Sequence, residues 1–211
     1  MTPKQAYYRN VAATVIKNLE KRQMTGYYCP DSAAAVQKAL ELMPKGASIA
    51  WGGSMTLTET GLMDAVRGGG YEILDRDAAV TPAEQKQLWA KVINADYFLM
   101  SSNAVTLDGE LINIDGRGNR VAFLCFGPGH VLVVAGMNKL VPDVTAGLAR
   151  VRNMATPPNT VRLHKNTPCA ATGRCADCLS PDCICNQMVV TRRSGAPGRI
   201  IVLLVGETLG Y

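Results

Sequence analysis

Short apolar segments alternate with helical segments along the first hundred residues, and this alternation constrains the fold more than any other feature. The apolar segments are 27–29, 48–51, 71–74 and 97–100, each of strand length. Helix-start signals lie between them, such as Thr81-Pro82-Ala83-Glu84, where a capping box is predicted. A strand–helix–strand rhythm favours a parallel sheet covered by helices. We therefore predict an α/β fold.

The second half predicts further strands and one more helix. Asp108-Gly109 lies between short extended runs and predicts a hairpin turn. Val121–Cys125 and Val131–Ala135 are continuous apolar runs, as expected of strands buried on both faces. A helix is expected from Pro142 to the pair Pro157-Pro158. The segments 188–191 and 200–205 are expected to be the last strands of the sheet.

The chain is predicted to form one domain over residues 1–211, with an N-terminal helical arm (1–26) and a Cys-rich, metal-binding insertion (165–187). Its 47% apolar and 18% charged residues exclude intrinsic disorder. Its longest apolar stretch is interrupted at residues 127–129 and no apolar leader is visible, so we expect a cytoplasmic protein without a membrane span. The first helix is expected to pack on its own domain or on a second copy in a homo-oligomer, and its periodicity does not distinguish these.

The charge is unevenly distributed. Residues 1–116 carry a net charge of −2, whereas residues 117–211 carry +7. A basic half is suited to an anionic ligand, a nucleic acid or a group of thiolates. Only three of the twelve aromatic residues lie in the basic half, and single-strand binding generally needs aromatic stacking. We therefore do not expect a nucleic-acid partner.

A glycine turn follows the strand that ends at Trp51. Gly52-Gly53-Ser54 joins this strand to a helical segment, at a position where open α/β sheets commonly bind ligands. The turn matches neither a dinucleotide nor a Walker motif. A tight turn with Ser54 as the helix cap is the alternative interpretation.

A polar run follows the strand that ends at Met100. It contains Asn103, Asp108, Asp115 and Arg120, and Asn138-Lys139 follows a later strand. Asn and Asp beside Gly are common in turns, which is one interpretation. The other is the rim of a polar site, in which a carboxylate accompanies Arg120 next to a buried strand.

Five of the seven cysteines lie between residues 169 and 185. Cys175 and Cys178 form a C-x-x-C pair, and Cys169 with either Cys183 or Cys185 would complete four thiolates for zinc or an iron–sulfur cluster. Free or redox-active thiols are the alternative. Cys29 and Cys125 lie in apolar segments and are expected in the core.

With these residues identified, the chain resembles the LUD-domain family, which includes the lactate-utilisation protein C. The resemblance extends along nearly the whole chain. Its motifs are Gly53-Ser54-x-Thr56-Leu57, Asn103-Ala104-x-Thr106-x-Asp108-Gly109, Asp115-Gly116-x-Gly118-Asn119-Arg120, Gly136-x-Asn138-Lys139 and Cys169 to Cys185-Asn186. The last is typical of one branch, in which the fourth cysteine precedes an asparagine, and this favours Cys185. The resemblance implies a Rossmann-like sheet of the NagB/RpiA/CoA-transferase type, and phosphate binding near Ser54 and Thr56 as in related isomerases.

The resemblance also implies a function in the oxidation of L-lactate or a related 2-hydroxy acid, beside iron–sulfur oxidoreductase subunits. A small anionic substrate is expected in a polar cleft, with a metal at the cysteine segment. The candidate catalytic residues are Asp108, Asp115 and Arg120. The candidate anion-binding residues are Gly53, Ser54, Thr56, Asn103, Thr106, Asn119, Arg120, Asn138 and Lys139; the candidate metal ligands are Cys169, Cys175, Cys178 and Cys185.

Two alternatives remain open. One is a non-catalytic scaffold that docks an iron–sulfur partner, and the other is an isomerase- or acyltransferase-like enzyme acting on a phosphorylated or CoA-linked substrate. Whether the chain is itself an enzyme is left open by the sequence.

Overall fold

The computed structural model describes all residues 1–211 and contains nine α-helices and ten strands. The helices are α1 (Pro3–Lys21), α2 (Ser32–Leu42), α3 (Met55–Glu59), α4 (Leu62–Arg67), α5 (Pro82–Val92), α6 (Asn119–Cys125), α7 (Val144–Arg150), α8 (Thr156–Arg162) and α9 (Pro168–Thr172). The strands are β1 (Thr25–Cys29), β2 (Ser48–Trp51), β3 (Glu72–Ile73), β4 (Tyr97–Met100), β5 (Ala104–Thr106), β6 (Leu111–Asp115), β7 (His130–Gly136), β8 (Leu140–Val141), β9 (Gln187–Thr191) and β10 (Ile200–Val205). None of the helices combines the length and the apolar character needed to cross a membrane.

The main sheet has six strands in the order β1-β10-β7-β4-β2-β3, and every pair is parallel. Alternate side chains of a strand point to opposite faces, so Phe98 and Met100 join one core and Tyr97 and Leu99 join the other. Helices cover both faces. The prediction of an α/β fold with a helix-covered parallel sheet is confirmed.

A second sheet has the order β8-β5-β6-β9. β5 and β6 form the antiparallel hairpin predicted at Asp108-Gly109, where Gly109 has a φ of +87°. β9 pairs with β6, so the expectation that segment 188–191 belongs to the main sheet was wrong. β10, in contrast, lies between β1 and β7 in the main sheet.

The N-terminal helix α1 packs on its own domain. It begins with the predicted capping box, in which Thr2 and Gln5 hydrogen-bond each other's backbone N–H. Ala12, Val15 and Leu19 are fully buried in the core against the main sheet. The sequence left this packing open, and the tertiary contacts decide it.

Segment 121–125 is helical, so the predicted strand was wrong. Gly118 has a φ of +84° and precedes α6, in which Val121 and Leu124 face the core three residues apart. A five-residue apolar run has too little periodicity to distinguish a strand from a helix. Cys125 is exposed at the end of α6, which corrects the expectation that it lies in the core.

The helix of residues 144–150 does not end at Pro157-Pro158. A π-helical turn, Val151–Ala155, joins α7 to α8, and the prolines lie in the first turn of α8. Proline is tolerated there because it need not donate a helical hydrogen bond. The Thr156 hydroxyl donates to the Val151 carbonyl at 2.8 Å, which adds a side-chain hydrogen bond to the π-helical turn.

Candidate functional site

A cleft of about 490 Å³ opens beyond the carboxyl ends of β2, β4 and β6. Its remaining walls come from the turn after β7, from α8, from the cysteine segment and from Tyr211. Because β2 and β4 are parallel strands that end at the same edge of the main sheet, and β6 of the second sheet ends beside them, residues far apart in sequence meet here.

Most of the predicted catalytic and anion-binding residues line this cleft. They are Gly53, Ser54, Thr56, Asn103, Asp115, Asn119, Arg120 and Lys139. The structure therefore brings them together, and their binding of a ligand stays a prediction.

Thr106, Asp108 and Asn138 do not line the cleft. Thr106 is buried and hydrogen-bonds Glu110, whereas Asp108 is exposed at the hairpin turn. The turn and the carboxyl end of β6 lie at opposite ends of that strand, which separates Asp108 from Asp115. Asn138 Oδ1 instead accepts a hydrogen bond from the Leu209 N–H at 3.1 Å.

Lys139 lies in the 3-10 turn after β7 and is only 3% exposed. Its Nζ donates to Thr56 Oγ1 at 2.8 Å and to Ser101 Oγ at 2.9 Å. No carboxylate lies within ion-pair distance of Nζ. Burial, then the charges of Arg150 and Arg120, lower the pKa of Lys139 to about 7.

Arg120 is held by the protein itself. Its Nη1 donates to Ser101 O and Asn113 Oδ1, and its Nη2 donates to Asn103 Oδ1 and Ile114 O. Nε lies 3.5 Å from Asp115 Oδ2, which forms an ion pair with the guanidinium. Four of the five donors of the guanidinium are therefore used within the protein, and Nε is ion-paired with Asp115.

Because its hydrogen bonds go to residues of the cleft wall, Arg120 holds that wall in place. Burial lowers its pKa, and Asp115 opposes that shift. The glycine turn between β2 and α3 packs against Arg120, since a Cβ on Gly52 would lie 3.0 Å from Arg120 Cγ. The glycine that suggested ligand approach thus makes room for an arginine.

The carboxylate of Asp115, the other candidate catalytic residue in the cleft, also has hydrogen-bond partners within the protein. Its Oδ1 accepts from the backbone N–H groups of Arg117 and Gly118 at 3.1 and 2.8 Å. These bonds hold the turn into α6 and so support Arg120. Asn103 differs, because its Oδ1 accepts from Arg120 and Ile114, while its Nδ2 makes no hydrogen bond within the protein.

Sequence reasoning missed Arg150 and Ser101. Arg150 is 8% exposed and donates to Asn138 O at 3.2 Å and to Asn103 O at 2.6 Å. It has no carboxylate partner, and burial lowers its pKa. In sequence it is one basic residue at the end of a helix, without any signal of burial.

The C-terminal residues close one side of the cleft. Gly210 donates its N–H to Glu59 Oε2 at 2.6 Å and has a φ of +56°. A Cβ there would lie 2.5 Å from Thr56 Oγ1 and 3.3 Å from Lys139 Nζ. Glycine is therefore required for the close approach of this segment to Lys139.

The cysteine segment contacts the cleft through Cys183 and Ile184. Cys169 is buried beside the hydroxyls of Thr160 and Thr167, at 3.5 and 3.3 Å. Burial, with the neighbouring thiol of Cys183, raises the pKa of Cys185 to about 12.

The predicted metal ligands do not form a ligand cluster in this structure. Cys185 N–H donates to Cys183 Sγ at 3.4 Å, while Cys175 lies beside Arg152 and raises the pKa of that arginine. No group of three or more His, Cys, Asp or Glu side chains is arranged to hold a metal. The geometry shown does not fit a four-thiolate site, and metal binding stays a prediction.

Comparisons with known proteins identify the family. The family model of the LUD domain matches residues 12–205. The crystal structure of a DUF162 family protein from Deinococcus radiodurans is similar over 94% of this chain and 97% of that chain, with a TM-score of 0.56 and 12% identity. At that identity the likeness shows the fold alone.

Two further solved structures are similar over about half of the chain. Ribose 5 phosphate isomerase A from Neisseria gonorrhoeae covers 52% of each chain with 14% identity and a TM-score of 0.35. The eIF2B delta structure from Chaetomium thermophilum covers 56% of this chain and 50% of that chain, with 18% identity and a TM-score of 0.37. A search of curated proteins finds no significant match. Since the family model spans most of the sequence, the chain belongs to the LUD domain family.

Proposed function

We propose that the cleft binds a small carboxylate of the 2-hydroxy or 2-oxo acid class, in support of lactate oxidation. The observation that carries this proposal is an excess of positive charge at the base of the cleft. Lys139 and Arg120 line it, the charge of the buried Arg150 acts on Lys139 from behind the wall, and Asp115 is the single carboxylate ion-paired with these cations.

A bound carboxylate would supply the missing negative charge. Arg150 is neutralised by no acid and donates to backbone carbonyls only. Lys139 has two hydroxyl partners, which do not offset an ammonium charge. The unused Nδ2 of Asn103 provides a neutral donor at the same cleft. Charge-assisted hydrogen bonds of this kind are roughly twice as strong as neutral ones.

The assignment to 2-hydroxy acids comes from the family. The LUD-domain family includes the lactate-utilisation protein C, and in this proposal the chain serves an oxidation that involves iron–sulfur partner subunits. Calorimetry with L-lactate and with pyruvate tests the binding step. Lys139→Met is expected to weaken binding, whereas Arg193→Ala, which removes a charge outside the cleft, is the matched control.

If neither acid binds to the wild-type protein, the proposal fails. The scaffold alternative then predicts retention of an iron–sulfur partner without small-anion binding. Titration with inorganic phosphate and with coenzyme A separates the isomerase- or acyltransferase-like alternative, since that alternative predicts binding of these ligands in preference to lactate.

Metal binding by the cysteine segment is a separate proposal. Its support is the short spacing of five cysteines, with Cys169 and Cys183 near Cys185. Four thiolates require Cys175 and Cys178 to move toward them. Metal analysis with an absorption spectrum of anaerobically purified protein distinguishes zinc from an iron–sulfur cluster, and a metal-free protein under reducing conditions would contradict the proposal.

A further inference from the structure

Lys139 makes two hydrogen bonds, and a neutral amine can make both of them with its two N–H groups. Its Nζ donates to the hydroxyls of Thr56 and Ser101. Each hydroxyl donates its own proton elsewhere, Thr56 to Leu209 O at 3.5 Å and Ser101 to Ser102 O at 3.3 Å. Both oxygens therefore act as acceptors toward Lys139. A neutral amine has two N–H groups and a lone pair, so these two bonds leave the lone pair free.

The charged groups around Nζ favour that neutral form. Arg150 from α7 and Arg120 from α6 disfavour the ammonium, and Glu59 from α3 favours it. The Glu59 carboxylate also accepts from the Gly210 N–H. Burial acts in the same direction as the two arginines and is the largest effect. Lys139 is nevertheless one of the residues that line the cleft, on the side that the Gly210 segment closes.

We propose that Lys139 is a nucleophile that forms an imine with the carbonyl carbon of a 2-oxo acid bound in the cleft. The nitrogen lone pair forms the C–N bond while the carbonyl π electrons move to oxygen. The resulting carbinolamine loses that oxygen with both amine hydrogens as water, which leaves the C=N bond. The step needs no oxidant or reductant, and lysine imines of this type are an established form of covalent catalysis.

This inference rests on the proposed function, because the same cleft must first hold the carboxylate. It also goes beyond that function, since it names a carbonyl substrate and a covalent step. With a pKa of about 7, Lys139 is present both as the ammonium and as the neutral amine near neutral pH, and only the neutral amine attacks the carbonyl carbon. A buried amine in an apolar or cationic environment is the usual way in which lysine becomes nucleophilic near neutral pH.

Reductive trapping tests the imine. The full chain is incubated with pyruvate and sodium cyanoborohydride, and the adduct is located by peptide mass spectrometry. We expect one adduct on Lys139, with a yield that increases as the pH rises through about 7. L-lactate, which lacks a carbonyl, is expected to compete and to leave no adduct itself. Lys139→Arg is expected to lose the adduct, and Lys165→Arg, which changes another lysine of the cleft, is expected to retain it.

The outcomes separate this inference from the proposed function. Pyruvate that binds by calorimetry but leaves no adduct on Lys139 overturns the imine and leaves anion binding intact. Adducts spread equally over exposed lysines also overturn it. Absence of both binding and adduct removes both proposals. The adduct position in the wild-type protein decides the matter even if Lys139→Arg fails to fold.

Discussion

Lys139→Met is expected to stabilise the protein most at low pH and progressively less as the pH rises. Burial lowers the pKa of Lys139 from 10.5 to about 7 in the folded chain. Below pH 7 the ammonium is present in both the folded and the unfolded state, so its full burial cost destabilises the fold. Between pH 7 and 10.5 the unfolded state binds more protons, so the free energy of unfolding increases with pH.

The magnitude follows from the shift in pKa. One pKa unit corresponds to about 1.4 kcal/mol, so the full cost is on the order of 5 kcal/mol. From pH 7 to pH 9 the wild-type protein is expected to gain about 2 kcal/mol relative to Lys139→Met. Methionine has a similar length, and the Thr56 and Ser101 hydroxyls keep their own acceptors.

Urea unfolding followed by circular dichroism measures this difference at several pH values, in buffers without carboxylate or phosphate. Titrations common to both proteins cancel in the difference. Lys17→Met, on the exposed face of α1, is the matched control. If the stabilities of wild type and Lys139→Met run parallel between pH 7 and 9, the reasoning about a buried, destabilising ammonium is refuted.

Three further predictions concern the wall of the cleft. Arg120→Ala is expected to reduce the free energy of unfolding by about 3–5 kcal/mol, measured by urea unfolding, because it leaves Asp115 without its cation and removes every bond of the guanidinium; a loss below about 1 kcal/mol would contradict the network. Gly210→Ala is expected to weaken lactate binding in calorimetry, since the added methyl group meets Thr56 Oγ1, and unchanged binding would show that this segment is not needed. Asp108→Asn is expected to leave lactate binding unchanged, whereas Asp115→Asn is expected to strengthen it because it removes the carboxylate paired with the cleft cations, and equal effects would contradict the separation of the two carboxylates.

Local patterns were enough to predict much of the fold. The capping boxes at Thr2 and Thr81 form as expected, since they depend on residues three positions apart. The hairpin at Asp108-Gly109 depends on two adjacent residues and was predicted for the same reason. The strand prediction for segment 121–125 was wrong because so short an apolar run has no periodicity that distinguishes a strand from a helix, and only its packing selects the helix.

In the candidate site, too, the sequence predicted some features and the packing decided others. Its polar residues could be identified in sequence because they follow apolar strands, and strands of one direction end at one edge. Their roles could not be assigned in the same way. The sequence predicts that Arg120 holds a substrate anion, but in the structure four of its donors bind protein acceptors and Nε is ion-paired with Asp115.

The sequence by itself determined the α/β class, the strand-end polar groups and the clustering of cysteines, because these follow from local pattern and spacing. Only the tertiary structure decided that Arg150 is buried beneath the cleft and that Lys139 has no acidic partner. The state of a charged group depends on desolvation and on neighbours from α3, α6 and α7, which are distant in the chain. For this reason the reactivity proposed for Lys139 emerges from the fold and is not visible in the motif that contains it.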